Sequence, residues 1–442
     1  MPNSNHFRVF EHQSLIENTE YDGHKFTDKH HQLLENFFKE KDFPYYKLVK
    51  NGVRFCEYVG VLQIGKLTIE VLPKADKPTN TEGSSDKDKW QRILINMLRE
   101  VGIFSIQAPS SSALKLQPNS ILDLYFDLYL TELDYLLHRG LVKRYRKTEG
   151  NTTALKGNLQ FSKHIQQNLV HQERFYVNYT TYDAQLMIHS ILYKALRLLK
   201  QLNTKSALQS RIGALLLNFP EMPDAKVSEA TFEKIVYNRK DEHYQKAIDI
   251  ARLLLLNYHP DVAQGRNHVL ALMFDMNKLW EKFVYVSLRK EFSKNQIHTV
   301  QEQVRKDFWQ PKEGRNSFME ADIVINYGDK TKCVVLDTKW KNLNGGNPSP
   351  EDLRQMYVYH QYYDAQKVAL VYPNFEKNET IGHFLVPKAK NERTIEKDFA
   401  KECRVILLAV PEREDKNLIA VWRESIYQTI NDFIKTSTAT PQ

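Results

Sequence analysis

Apolar residues recur along the chain in three rhythms, and each change of rhythm marks a change of structure. Near the N-terminus, short β-rich runs dominate at 7–10, 52–61 and 67–72, the last two separated by Gly65-Lys66 as a plausible hairpin turn. Residues 74–89, rich in Lys, Asp, Ser, Thr and Pro, have little to bury and read as exposed loop. From Trp90 to Gly265 the repeat is helical, with amphipathic stretches at 121–137, 184–202 and 244–256. The last region alternates: a long helix over 268–291, a strand over 298–304, a hairpin of 319–325 and 332–340, a helix over 350–365 and a strand over 367–372. That order is α-β-β-β-α-β. Apolar runs at 381–386 and 404–410 can extend the sheet, and 436–442 reads as a frayed tail. The pattern predicts an α+β multidomain chain: a β-rich domain at 1–89, a mainly helical region at 90–265 and an α-β-β-β-α-β domain at 266–442. No internal repeat is visible.

Composition narrows the function classes. With 42% hydrophobic and 11% aromatic residues, the 442-residue chain reads as globular throughout. Its 62 Lys+Arg against 54 Asp+Glu leave a formal net charge of +8, which suits a polyanionic partner but is modest for a chain of this size. The densest basic cluster, Arg139-Gly-Leu-Val-Lys-Arg-Tyr-Arg-Lys, is either a solvated face or a phosphate contact. Three distant cysteines, Cys56, Cys333 and Cys403, exclude a disulfide framework and a zinc ribbon. The N-terminus lacks a basic region followed by an apolar stretch, and no apolar run is long enough to cross a bilayer, so a cytoplasmic, unprocessed chain without membrane contact is expected.

Candidate chemistry gathers in the third region. Hydrolysis of a phosphodiester requires a cation to neutralise charge developing on phosphorus and an aligned water. Hard cations such as Mg2+ select carboxylate oxygens. In Val334-Val-Leu-Asp337-Thr-Lys339, strand alternation puts Asp337 and Lys339 side by side on one face. If Gly328-Asp329 forms a two-residue turn, Val335 falls opposite Asp322 and Asp337 opposite Glu320, leaving Asp322 and Asp337 as diagonal neighbours, about 7 Å apart at Cα. An exposed ion pair is the alternative reading. Against it, the flanking Ala321-Asp-Ile-Val-Ile and Val334-Val-Leu are core-like, where unpaired charge is expensive.

The neighbouring helices add candidates. Ser349-Pro350-Glu351-Asp352 reads as a helix start, and Gln355 and Tyr359 share a face four residues on. Gln355 could contact water or phosphate, and Tyr359 could support Lys339; ordinary tyrosine packing is the competing reading. In the helix predicted from His268, Glu281 falls between the apolar and wet sides, placing it as a third acidic ligand or as a salt-bridge partner of Lys278 or Lys282.

These residues resemble the McrC family, the nuclease partner of a GTP-driven AAA+ motor in methylcytosine-dependent restriction. Asp322 with Asp337-Thr-Lys339 is similar to its PD-(D/E)xK site, Gln355-Met-Tyr-Val-Tyr359 to its following helix, and Asp275-Met-Asn-Lys-Leu-Trp-Glu281 to its preceding one. Tyr58-Val-Gly-Val-Leu-Gln-Ile, Leu67-Thr-Ile-Glu-Val-Leu-Pro-Lys74, Arg139-Gly-Leu and Leu155-Lys-Gly-Asn-Leu resemble further family hallmarks, so the resemblance covers most of the chain. It implies a restriction-endonuclease-like C-terminal domain that cuts DNA carrying 5-methylcytosine-type modification, and an N-terminal domain that binds an McrB-like AAA+ GTPase and stimulates it. It implies Asp322, Asp337, Lys339, Gln355 and Glu281 as catalytic residues, and Asp322, Asp337, Glu281 and Thr338 as ligands of Mg2+ or another hard divalent cation. GTP then belongs to the partner. Glu320-Ala321 stands where proline often precedes the first acid, which leaves open whether Glu320 also touches the metal.

Gly60-Val-Leu-Gln-Ile-Gly65-Lys66 imitates most of a phosphate-binding loop, but Leu67 replaces the Mg2+-holding hydroxyl and a β-rich run follows where a helix is required. A nucleotide hydrolase is therefore excluded. Two other functions remain open as rivals: a non-catalytic assembly or GTPase-activating subunit, against which the intact Asp322, Asp337 and Lys339 argue, and a stand-alone nuclease that needs no motor.

Overall fold

The structure is a computed structural model. It describes residues 5–40, 44–74, 84–102, 120–259, 268–295, 298–343, 345–374, 378–386, 396–411 and 418–436, so the expected tail over 437–442 lies outside the described residues. The chain is mixed α and β and forms two compact units: residues 1–62, 67–117 and 273–442 make one, residues 63–66 and 118–272 the other. Among the described residues no helix is long and apolar enough to cross a membrane.

The 118–272 unit carries the expected amphipathic helices, Ile121–Arg139, Met187–Leu202 and Gln245–Leu256, together with Ser206–Asn218. Ser120 caps the first, its hydroxyl accepting from the Asp123 amide at 3.1 Å. Their stripes, including Leu130, Leu133, Leu196, Leu199 and Leu254, are buried. This unit is not helical throughout. Arg144–Thr152 pairs antiparallel with Phe175–Asp183, which in turn pairs with Asn158–Leu159. Nearly all of these strands' residues are exposed or half-buried, so they carry no apolar alternation by which a sequence reading would find them. Much of the basic cluster falls on this sheet, where Arg144 pairs with buried Asp241 and Arg146 with Asp183 at 3.3 Å.

In the other unit, the strand Leu67–Leu72 lies between Tyr58–Ile64 and a parallel partner, His6–Phe10. Two helices, Asp28–Glu40 and Ser84–Glu100, accompany them. The second corrects the expectation of loop up to residue 89. It begins at Ser84, and Lys87 is buried, its ammonium donating to the Arg8 carbonyl at 2.8 Å and to Asp22 Oδ2 at 2.9 Å. Residues 1–62 and 67–117 belong with 273–442, whereas the sequence reading made 1–89 and 266–442 separate domains. Indole and carboxylate explain the joining: Trp340 Nε1 donates to buried Glu11 Oε1 at 2.6 Å, and the Trp340 ring stands edge-on to Trp90 and to Trp280.

The helix expected from His268 is in fact two elements. Val269–Asp275 is a strand, and only then does helix α1 (Met276–Asn295) begin, with Asp275 Oδ1 accepting from the Asn277 amide at 2.9 Å. A short continuous apolar run such as Val269-Leu-Ala-Leu-Met-Phe fits a buried strand as well as a helix. After α1 come β1 (Val300–Trp309), β2 (Ser317–Ile325), β3 (Val334–Thr338), helix α2 (Pro350–Tyr362), β4 (Lys367–Asn374), β5 (Asn378–Val386), β6 (Glu396–Ala409) and helix α3 (Leu418–Lys435). The strands form one six-stranded sheet in the order β1-β2-β3-β4-β6-β5. β1, β2 and β3 pair antiparallel, β3-β4 and β4-β6 parallel, and β5 closes the edge antiparallel to β6. Ala321, Val324, Val335, Met356, Val368 and Leu370 form part of its core. The expected α-β-β-β-α-β order is present, and the apolar runs after it do extend the sheet.

Candidate active site on β2, β3 and α1

The hairpin register differs from the sequence reading by two residues. The ladder pairs Ile325 with Val334, Val324 with Val335 and Ile323 with Leu336, so the next position outward sets Asp322 against Asp337 directly. The connection is longer than a two-residue turn because Asn326 leaves the strand with φ of 55° and Asp329 builds its own turn, accepting from the Thr331 amide at 2.9 Å and from its hydroxyl at 2.6 Å. A two-residue offset preserves the alternation of faces, so both acids still project together.

Asp337 is fully buried, on a strand with partners on both sides. Neither of its oxygens accepts a well-aligned hydrogen bond from the described residues; the Lys339 ammonium lies 2.7 Å from Oδ2. Burial, then the charge of Asp322, pushes the Asp337 carboxyl well above the usual carboxylate range. Asp322 is also raised by burial, although the Thr338 amide, at 2.7 Å from its Oδ2, and the Thr338 hydroxyl, at 3.1 Å, oppose that by donating to it. Thr338 thus holds Asp322 in place across the strand pair. Burial pulls Lys339 down, but the adjacent carboxylates outweigh it and leave the ammonium firmly protonated.

Glu281, from α1, is half-buried and belongs to the same field. Burial raises its carboxyl to about 7, and the charges of Asp322 and Asp337 add to that shift. Of the two bland partners expected for Glu281, Lys282 pairs instead with Glu302. Glu281 accepts a hydrogen bond from the Gln303 side chain, and both line a cleft of about 640 Å³ with Asp275, Lys278, Lys282 and Glu302.

Helix α2 closes another side. Ser349 caps it as expected, accepting from the Asp352 amide at 3.1 Å, with Pro350 in the first turn. Gln355 Nε2 donates to the Tyr359 hydroxyl at 2.6 Å, and that hydroxyl donates to the Glu320 carbonyl at 2.6 Å. The charges of Asp337 and Asp322 reach Tyr359, placing this chain of bonds at the site's edge. The Glu320 carboxylate itself pairs with Arg305. Asp352 is the residue the sequence reading noted only as part of a helix start. It is buried, receives Lys341 at 2.6 Å, and its charge is felt at Asp337 and Lys339. The signal available was the continued alternation Asp337-x-Lys339-x-Lys341 along the strand exit.

A buried carboxylate facing a second carboxylate, with a single ammonium beside the pair among the described residues, fits a hard cation that would neutralise both. Among the described residues no three His, Cys, Asp or Glu side chains enclose an ion by themselves. The fit is therefore to an open site, with Asp337 and Asp322 as protein ligands and water or phosphate completing the shell. The cleft of about 480 Å³ in the other unit offers no comparable pairing, since Asp241 is the one acid in its lining.

A family model described as the McrBC 5-methylcytosine restriction system component matches residues 53–373. Among solved structures, a chain of the refined half-complex from the tetradecameric assembly of Thermococcus gammatolerans McrB AAA+ hexamers with bound McrC is similar in fold, with a TM-score of 0.67 and 19% identity over 97% of this chain and 100% of that one. A chain of the Thermococcus gammatolerans McrBC complex, seen by cryo-electron microscopy, aligns over 65% of this chain and 88% of its own, with a TM-score of 0.46 and 19% identity. No curated protein matches.

Proposed function

We propose a function from one premise: the chain belongs to the McrBC 5-methylcytosine restriction system component family. It is the endonuclease subunit of such a system, hydrolysing DNA phosphodiesters at the Asp322–Asp337–Lys339 centre when joined to an McrB-like AAA+ GTPase. The partner binds GTP and reads the modified cytosine; this chain stimulates GTP hydrolysis and supplies the cutting site. One observation carries the nuclease reading: Asp337 is 0% exposed, faces the second carboxylate of Asp322, and has the Lys339 ammonium as the one cation paired with it among the described residues.

Asp337 and Asp322 would hold the divalent cation, with Glu281 and Thr338 beside them and water or phosphate completing the open shell. Bound there, Mg2+ supplies charge neutralisation at the phosphoryl oxygens and a more acidic water. The chain's own groups do the positioning. Thr338 fixes Asp322 through two donors, and Lys339, held at 2.7 Å by Asp337, presents a charged donor for the attacking water or the developing oxyanion. Gln355, anchored by Tyr359 to the backbone of β2, orients water or phosphate from the α2 side. The α-β-β-β-α-β order around these residues supports a restriction-endonuclease-like domain.

Reconstitution tests this. With the partner GTPase, GTP and Mg2+, the wild-type chain cuts plasmid containing methylated cytosine, whereas Asp337→Ala and Lys339→Ala assemble with the partner and stimulate its GTPase but leave the plasmid intact. Cleavage near the wild-type rate in either variant would remove the assignment.

A further inference from the structure

Strand β1 contains one residue whose backbone is out of keeping with its type. Gln303 has φ of +48°, in the left-handed region that side-chain-bearing residues rarely enter. Among the described residues, the other non-glycines with positive φ are Asn18, Asp22, Asn51, Asn326, Asp364 and His12, all of the types that tolerate it through local hydrogen bonding. Gln303 lies mid-strand rather than in a turn.

Its position is informative. Glu302 pairs with Ile323 and Val304 with Ala321, so Gln303 stands at the register position of Asp322, and the ladder omits that one pair. The Gln303 amide donates to Glu281, and both residues line the same cleft. Strain of this kind persists where surrounding structure enforces it, and it gathers at functional sites.

Three carboxylates, Glu281, Asp322 and Asp337, act on one another here, and mutual repulsion drives them apart. A cationic partner for Glu281 would hold it but would also compete with an incoming metal for its charge. A neutral amide holds the carboxylate without cancelling that charge. Building on the nuclease reading above, we infer that Gln303 is a positioning residue: its strained backbone aims its amide at Glu281 and keeps that carboxylate turned toward Asp322 and Asp337, ready to complete the shell of a divalent cation.

The full chain, titrated with Mn2+ in a calorimeter without DNA, tests the inference. Gln303→Gly removes the amide and relieves the backbone, since glycine enters this region freely. It should melt at or above the wild-type temperature yet bind Mn2+ about tenfold more weakly, the range typical of a group that orients a ligand. Gln303→Asn keeps an amide that ends one methylene short and should lose affinity similarly. In the reconstituted complex, the Mg2+ concentration for half-maximal cleavage should rise in step. Wild-type Mn2+ affinity in folded Gln303→Gly, with Asp337→Ala unable to bind, would overturn the inference and leave the nuclease centre standing. Mn2+ binding by Asp337→Ala equal to that of wild type would bring down the metal centre and the inference with it.

Discussion

Helix α1 carries two glutamates that have met opposite fates. Glu291, near its C-terminal end, is buried and surrounded by cations: Lys294 donates at 2.8 Å, and Arg423 of α3 pairs with it while reaching Glu100 at 3.1 Å. Burial by itself pushes Glu291 up, but these donors and charges outweigh it and hold the carboxyl below its ordinary value. Glu281, ten residues earlier, is raised to about 7, first by burial and then by the charges of Asp322 and Asp337, while the Gln303 amide that donates to it opposes the rise. One helix thus shows a neutralised acid that ties elements together and an acid held among like charges. The fold supplies counter-charges where acids are structural, so the excess of carboxylates over Lys339 among Glu281, Asp322 and Asp337 marks a place prepared for a positive ligand.

Mutations at the two ends should separate along that line. The largest effect is expected at the acid-rich end: Asp322→Asn should lower the cleavage rate of the reconstituted complex by about a thousandfold or more while the chain stays folded, since it weakens a ligand in a site that works by positioning charge. Gel-based cleavage kinetics beside circular dichroism would check both halves. At the other end, Arg423→Ala should cost about 2–3 kcal/mol in denaturant unfolding, because it strips a cation from two buried carboxylates, with Lys290 and Lys294 offsetting part of the loss. Its cleavage per folded molecule should stay within a factor of about two. Equal loss of cleavage in both variants would erase the distinction.

The smallest expected effect is a pH dependence. Glu281 binds its proton more tightly folded than unfolded, so ionising it disfavours the fold: the penalty is absent below its ordinary value of 4.5, grows as pH rises and is complete above about 7. Without divalent cation, Glu281→Gln should therefore be more stable than wild type at pH 8 by on the order of 1 kcal/mol, discounted for the group's partial exposure, with the gap closing toward pH 4.5. A gap that is the same at both pH values would show that Glu281 ionises as freely folded as unfolded.

How far the sequence foretold this depends on what each feature needs. The acid hairpin was legible because a core-like run interrupted by Asp322, Asp337 and Lys339 is informative at period two. Its register was not, since that depended on Asn326 and Asp329 forming a longer connection; the shared face of the two acids survived because the error was even. Val269–Asp275 was unreadable as a strand for want of any period, and Arg144–Thr152 because its polar residues offer no buried face. Gln303 lay beyond reach for another reason: a left-handed backbone in the middle of a strand leaves no mark in the sequence, whereas Asp352 was signalled only by the alternation that carries Lys341 toward it. The joining of residues 1–62 to 273–442 rests likewise on Glu11 meeting Trp340, which no local pattern announces.

The central claim is that Asp337 is buried beside a second carboxylate, with Lys339 alone among the described residues to balance them, because a cation is meant to sit against it. The most direct test is the denaturant midpoint of the full chain at pH 8, with and without millimolar Mg2+, for wild type and Asp337→Asn. Without Mg2+ the variant should be the more stable, because it no longer buries a charge; adding Mg2+ should raise the wild-type midpoint and leave the variant's unmoved. A wild-type midpoint indifferent to Mg2+, or an equal rise in both proteins, would contradict the account.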